Sequence, residues 1–293
     1  MSKTTTKCEH WEVDNTDYHA DRTCDSSSTL KLARQSMAAY QHQRQNSQPS
    51  QETDAMRFGT AFHAAVLQPD EYDSLVAVEP QDIEGEAVNR RLKKHREFLQ
   101  KFAEDAAGKT VIKNTEQVTI DKMISKVRQC PAARRLFDVD GSDGIMTEHA
   151  VKFTWHEHPM KAMMDYVDTG SDMIVDVKTT RLSGDHHVFQ KEIETREYYA
   201  QASVYCEAYK QMTGRTPKFY WLFVHTEEPH EVDVFECDSE LLRYGDLLNE
   251  QTIAMIRTAE IMEDYSRASY RAAQKIKPSP YLTSRFEKSI GGF

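Results

Sequence analysis

The run Met173-Ile-Val-Asp-Val-Lys178-Thr-Thr180 constrains the fold more than any other segment. It is an apolar β-type stretch interrupted by Asp176 and Lys178, two positions apart. Side chains on a strand alternate between faces, so the two charges share one face while Val175 and Val177 share the other. A carboxylate at the edge of a core is costly unless it holds a cation or pairs with one. A second strand-like run, from Ala162 to Val167, brings in Asp165, and Asp168-Thr-Gly-Ser-Asp172 between the two reads as a hairpin turn. The chain must therefore set two acids and an ammonium on neighbouring strands.

Strands dominate the middle of the sequence. Met146–Trp155 alternates, with Val151, Phe153 and Trp155 on one face, and His156-Glu-His-Pro159 turns the chain. The wholly apolar run Phe219–His225 suits a central strand, and Glu231–Cys237 follows it. Helices are expected over residues 30–44 (after the Ser26–Thr29 cap), 55–67, 116–128, 189–212 and 240–274. Residues 85–102 form a charged segment, helical towards its end. Three strands, a crossover helix and two more strands predict a mixed sheet with a helix laid on it. The domain reading is a polar N-terminal segment with a short helix over 1–53, one domain over 54–275, and a basic tail over 276–293.

Composition excludes several classes. No run of about 18 apolar residues exists, so no membrane helix is expected. Met1–His10 lacks the apolar centre of a secretory signal. The five cysteines are scattered without a C-x-x-C pair, which predicts reduced thiols in a cytoplasmic protein. Neither His156-Glu-His158 nor the His10, His19 and Cys24 scatter has the spacing of a structural zinc site. The net charge of −10 neither supports nor excludes a nucleic-acid partner, because local clusters decide such contacts. Two basic clusters exist. Asn89-Arg90-Arg91-Leu-Lys93-Lys94-His-Arg96 is read as a phosphate-contacting segment, and the other spans residues 271–293. Either could equally be a solvated face.

The charged pattern points to phosphodiester hydrolysis assisted by Mg²⁺, with Mn²⁺ able to substitute, at one or two ions per site. Asp165 and Asp176 offer hard oxygen ligands, and the Val177 carbonyl lies between Asp176 and Lys178 as a further one. Lys178 would orient the attacking water and offset charge in the transition state. Gly59 and His63 stand one turn apart on a mostly apolar helix. The glycine would allow close backbone approach, and the imidazole would meet a buried partner such as a metal ion. Gln201 and Tyr205 share a face of the crossover helix and could reach the site to hold a phosphate or water. Glu148, opening the first long strand, would either touch the metal or be exposed.

In order along the chain, Phe58-Gly-Thr-Ala-Phe-His63 through Tyr72, Val88-Asn-Arg-Arg91, the Asp165 strand, Ile174–Thr180 and Gln201-x-x-x-Tyr205 resemble the RecE-type exonucleases (exodeoxyribonuclease VIII). These lie in the RecB-like branch of the PD-(D/E)XK nuclease superfamily. The likeness covers about residues 17–260 and implies an α/β fold: an αβα core with a mixed central sheet and added N- and C-terminal helices. It implies metal held by His63, Asp165, Asp176 and the Val177 carbonyl. It implies a 5′-to-3′ exonuclease on linear double-stranded DNA, leaving 3′ tails for a RecT-type single-strand annealing protein. A ring of subunits, acidic outside and basic within, would reconcile the net charge with DNA binding. One departure is Met163-Met164, where that family often has a basic residue and proline. An endonuclease on the same core, or a catalytically silent DNA-end-binding protein, are the alternatives.

Overall fold

The computed structural model describes residues 8–13, 15–46, 53–83, 85–89, 91–137, 144–266, 273 and 275–284. The N-terminal part contains β1 (Glu9–His10), α1 (Asn15–Ala20), α2 (Ser27–Gln35) and α3 (Met37–Gln45). Next come α4 (Asp54–Leu67), α5 (Tyr72–Leu75), β2 (Val76–Glu79), β3 (Asp82–Ile83), β4 (Glu86–Ala87), α6 (Lys93–Asp105) and β5 (Thr110–Lys113). The helices α7 (Asn114–Gln129) and α8 (Pro131–Phe137) lead into β6 (Ile145–Trp155), β7 (His158–Asp168) and β8 (Met173–Thr180). The chain closes with α9 (His186–Arg196), α10 (Tyr198–Thr213), β9 (Lys218–His225), β10 (Val232–Glu236) and α11 (Ser239–Met262).

The central sheet has six strands in the order β1-β6-β7-β8-β9-β10. In this sheet β8 and β9 run parallel, which requires the crossover that α9 and α10 supply; the other neighbours are antiparallel. Alternation along the inner strands divides the core. Ile174, Phe219, Trp221 and Phe223 pack with α2, α3, α9, α10 and α11 on one face. Val175, Val177, Leu222 and Val224 pack with α4, α7 and α8 on the other, where β2 and β5 form a small parallel sheet. Helices on both faces of a mixed sheet make the predicted αβα architecture.

Three helix expectations need correction. The helix expected over 30–44 is two, because Ser36 is extended (φ −163°, ψ 107°) and its hydroxyl accepts from Ala39 N–H to cap the second. The crossover helix is also two, broken at Glu197, whose φ of 59° is left-handed. The last helix stops at Met262, where Glu263 (φ 51°) closes it; residues 267–272 lie outside the described set. Within 1–53, Tyr18, Leu30, Ala33 and Tyr40 are buried, and the last three lie in the larger core cluster.

Where α10 crosses α11, backbones nearly touch at Gly245. A Cβ there would stand 2.5 Å from the Tyr199 carbonyl oxygen and 2.8 Å from Ser203 Cβ. Close by, Asn249 donates to the Ala200 carbonyl at 2.8 Å, and the Ser203 hydroxyl bonds Asp246 at 2.6 Å. Gly245→Ala is expected to lower unfolding free energy by ~1–3 kcal/mol through overpacking, read from the denaturant midpoint at unchanged slope.

Candidate metal centre

The site forms where β7 and β8 separate. Their registered pairs run from Asp168↔Met173 to Tyr166↔Val175 and stop there, while β8 stays paired with β9 through Thr180↔His225. Beyond the fork the Val177 N–H has no β7 carbonyl to meet. Asp165 Oδ2 accepts it instead, at 2.8 Å. The fork thus fixes one acid by a backbone bond and leaves its other oxygen free of that bond.

Helix α4 brings His63 into the fork. Its Nε2 is 2.9 Å from the Val177 carbonyl oxygen. A carbonyl only accepts, so Nε2 carries the proton and Nδ1 turns towards the acids. Nδ1 stands 3.6 Å from Glu148 Oε1 and 3.8 Å from Asp165 Oδ2. One ligand atom each from His63, Glu148 and Asp165 lie within 4.8 Å of one another. Glu148 reaches this position from a left-handed backbone (φ 46°) inside β6, between the registered pairs Thr147↔Tyr166 and His149↔Met164. Strain of this kind in a strand is uncommon for a non-glycine residue and concentrates at functional sites.

On the other side, Asp176 is fully buried and Lys178 Nζ lies 2.7 Å from its Oδ2. Asp176 Oδ1 has no hydrogen-bond donor among the described residues. Burial pushes the Asp176 carboxyl up to about 6, and nearby Asp165 adds to this against the pull of Lys178. Asp165 is raised mainly by burial, opposed by His63 and Lys178. Burial would depress His63, but Asp165 and Glu148 overcome it and lift the imidazole to about 9. Lys178 is held up by Asp176 and Asp165 despite its own desolvation. The Asp176 carboxylate oxygen without a donor among the described residues, together with Asp165, Glu148, one imidazole and one carbonyl, fits a hard divalent cation of the Mg²⁺ or Mn²⁺ type.

Gln201 Nε2 donates to the Tyr205 hydroxyl at 2.9 Å. Tyr205 is buried, and desolvation followed by the field of Asp176 raises its hydroxyl well above the ordinary tyrosine range. Gly59 does not serve close approach as expected: an added Cβ would meet only Thr179 Oγ1, at 3.9 Å. Sequence reasoning missed Tyr198. Its ring centroid lies 5.1 Å from Lys178 Nζ, and no local periodicity announces that contact.

The basic segment before α6 makes local contacts. Asn89 N–H donates to His95 Nδ1 at 2.9 Å, and Asn89 Oδ1 accepts from Arg91 N–H at 3.0 Å. Lys93 pairs with Glu97 at 3.6 Å and Lys94 with Glu86 at 2.9 Å. Arg90 lies outside the described residues.

Residues 26–268 match the family described as "PDDEXK-like domain of unknown function (DUF3799)". Among solved structures, a "Putative exonuclease" from Eubacterium rectale superposes with a TM-score of 0.60 at 12% identity, covering 94% of this chain and 98% of its own. That likeness establishes the fold. SSO0001 aligns over 48% of this chain and 68% of its own at 16% identity, with a TM-score of 0.26 that supports no argument. No curated protein matches the sequence. Among the described residues, no helix is long and apolar enough to cross a membrane.

The raised Asp176 carboxyl has a consequence for the metal-free protein. A carboxyl whose folded pKa exceeds its unfolded value resists ionisation in the fold, so its penalty grows as pH rises through about 4 to 6. Asp176→Asn should therefore raise the Tm of chelator-treated protein at pH 7. The gain should shrink towards pH 4, where both side chains are neutral. A lower Tm for the variant at pH 7 would contradict the assignment of crowded acids.

Proposed function

The chain belongs to the PDDEXK-like family that its sequence matches over residues 26–268, and from that premise we propose that it is a metal-dependent 5′-to-3′ exonuclease on linear double-stranded DNA. The observation that supports this reading best is the fork itself: Glu148 and Asp165 converge with His63, while buried Asp176, in the field of Asp165, is paired with the ammonium of Lys178. His63, Glu148, Asp165 and Asp176 would hold Mg²⁺ or Mn²⁺, with the Val177 carbonyl joining once His63 Nε2 releases it. The bound cation would supply Lewis acidity at the phosphoryl oxygens and lower the pKa of water. Lys178 would orient that water and oppose the charge that develops on the phosphate. Gln201 and Tyr205 would steady the phosphate or the water from α10.

DNA would be met in part by Asn89, Arg90, Arg91, Lys93 and Lys94, with surface ion pairs to Glu86 and Glu97 exchanged for phosphates. The same reading includes a role in recombination of the phage type, a ring-shaped homo-oligomer, a RecT-type annealing partner and a cytoplasmic setting. These parts come from the resemblance of the ordered motifs.

Digestion of linear duplex labelled separately at each 5′ and 3′ end tests the reading. Label is expected to leave first from the 5′ ends with Mg²⁺ or Mn²⁺ and to stay put with chelator. Closed circular duplex should survive; its rapid cutting would make the protein an endonuclease. Lys178→Ala should reduce cleavage by roughly 100-fold or more while leaving DNA binding intact.

Cation binding at His63 Nδ1 must also displace a proton from an imidazole whose pKa is about 9. Apparent Mn²⁺ affinity should climb as pH rises from 6 towards 9, with proton release visible by calorimetry in two buffers of different ionisation enthalpy. His63→Gln should flatten that climb.

A further inference from the structure

We propose that Tyr198 is a positioning residue for Lys178, its ring forming the wall that aims the ammonium once Asp176 is drawn away. This inference rests on the nuclease reading above and deepens it. Lys178 Nζ lies between two partners, Asp176 Oδ2 at 2.7 Å and the Tyr198 ring, whose centroid is 5.1 Å away. A lysine stem has four rotatable carbons, so an ammonium held only by one carboxylate follows that carboxylate. Asp176 is itself a candidate cation ligand, and an oxygen engaged by a cation attracts the ammonium less. The aromatic face does not compete for a hard cation at a carboxylate site. It holds the ammonium through its quadrupole at this range.

The ring is well anchored for such a task. Phe223 backs it, with centroids 6.2 Å apart. Tyr198 is the first residue of α10, directly after the left-handed break at Glu197. That break is clamped from α2: Arg34 Nη2 and Nε donate to Glu197 Oε2 at 2.7 and 3.1 Å. Arg34 Nη1 reaches on to Asn249 Oδ1 and Thr252 Oγ1 of α11 at 3.3 and 3.1 Å. A straight crossover helix would carry Tyr198 along a different path from the one that meets Lys178. Lys178 Nζ lies over the Tyr198 ring, so the contact is one of ring face.

The test compares Tyr198→Leu, Tyr198→Phe and Lys178→Ala on end-labelled linear duplex with Mn²⁺. Tyr198→Leu is expected to lower kcat about tenfold, the scale of one desolvated cation–aromatic contact, with KM and Mn²⁺ affinity by calorimetry within twofold of the parent. Tyr198→Phe keeps the ring and should recover the lost kcat to within about twofold. Equal impairment of both variants would assign the effect to the hydroxyl and overturn the proposal, as would a loss confined to KM or a parent-like Tyr198→Leu. Parent-like cleavage by Lys178→Ala would overturn the site reading and this inference together. The expected loss of roughly 100-fold or more in Lys178→Ala, with Tyr198→Leu parent-like, would remove only the inference.

Discussion

Crowding of like charge at the β7–β8 fork is the constraint on which the rest of this structure depends. Asp165 and Asp176 lie one residue beyond the last β7–β8 pair, Tyr166↔Val175, where the strands separate, with Glu148 contributed by β6. Burial raises the pKa values of the two aspartates, and such a group works against folding unless positive charge balances it. The chain supplies two balancing groups, His63 from α4 and Lys178 from β8, and they approach from opposite faces of the sheet. Among the described residues the arrangement leaves Asp176 Oδ1 without a donor, an omission a purely structural ion-pair network would not need.

The surrounding fold holds this unfavourable cluster by burying large cores on both faces. Val175 and Val177 are locked against α4, α7 and α8, which fixes the height of β8 relative to His63. Ile174, Phe219 and Trp221 lock the opposite face against α10 and α11. The N-terminal segment adds polar ties. Lys161 is buried and donates to the carbonyls of Tyr18 and Asp21, while its ammonium lies 4.7 Å from the Tyr18 ring centroid. Buried Asp25 accepts from the Tyr40 hydroxyl at 2.6 Å and lies 2.7 Å from His158 Nε2. These bonds join β7 to residues more than a hundred positions earlier, so the strand bearing Asp165 is braced from outside the sheet.

Much of this was legible from local pattern. The alternation in Met173–Thr180 placed Asp176 and Lys178 on one face, and the structure pairs their side chains directly. The apolar helix around His63 pointed to a buried partner for its imidazole, and the partly buried ring meets a carbonyl and two acids. Helix breaks were harder. Ser36 and Glu197 interrupt segments whose composition reads as continuous helix, because a single change of backbone conformation leaves hydrophobic periodicity almost untouched. The role expected of Gly59 failed for a related reason: composition says a glycine permits contact, and only coordinates say whether a neighbour takes up the room.

Sequence alone indicated the strand pattern, the shared face of Asp176 and Lys178, and the acids, histidine and lysine expected to serve a divalent cation. Those follow from residue chemistry and short-range periodicity, which act within a few residues of the chain. Tertiary structure alone decided that Glu148 joins His63 and Asp165, that Val177 serves both of them, and that Tyr198 covers Lys178. These contacts depend on where a strand pair splits and where a helix bends. Such points are fixed by packing between distant segments, and no local spacing encodes them.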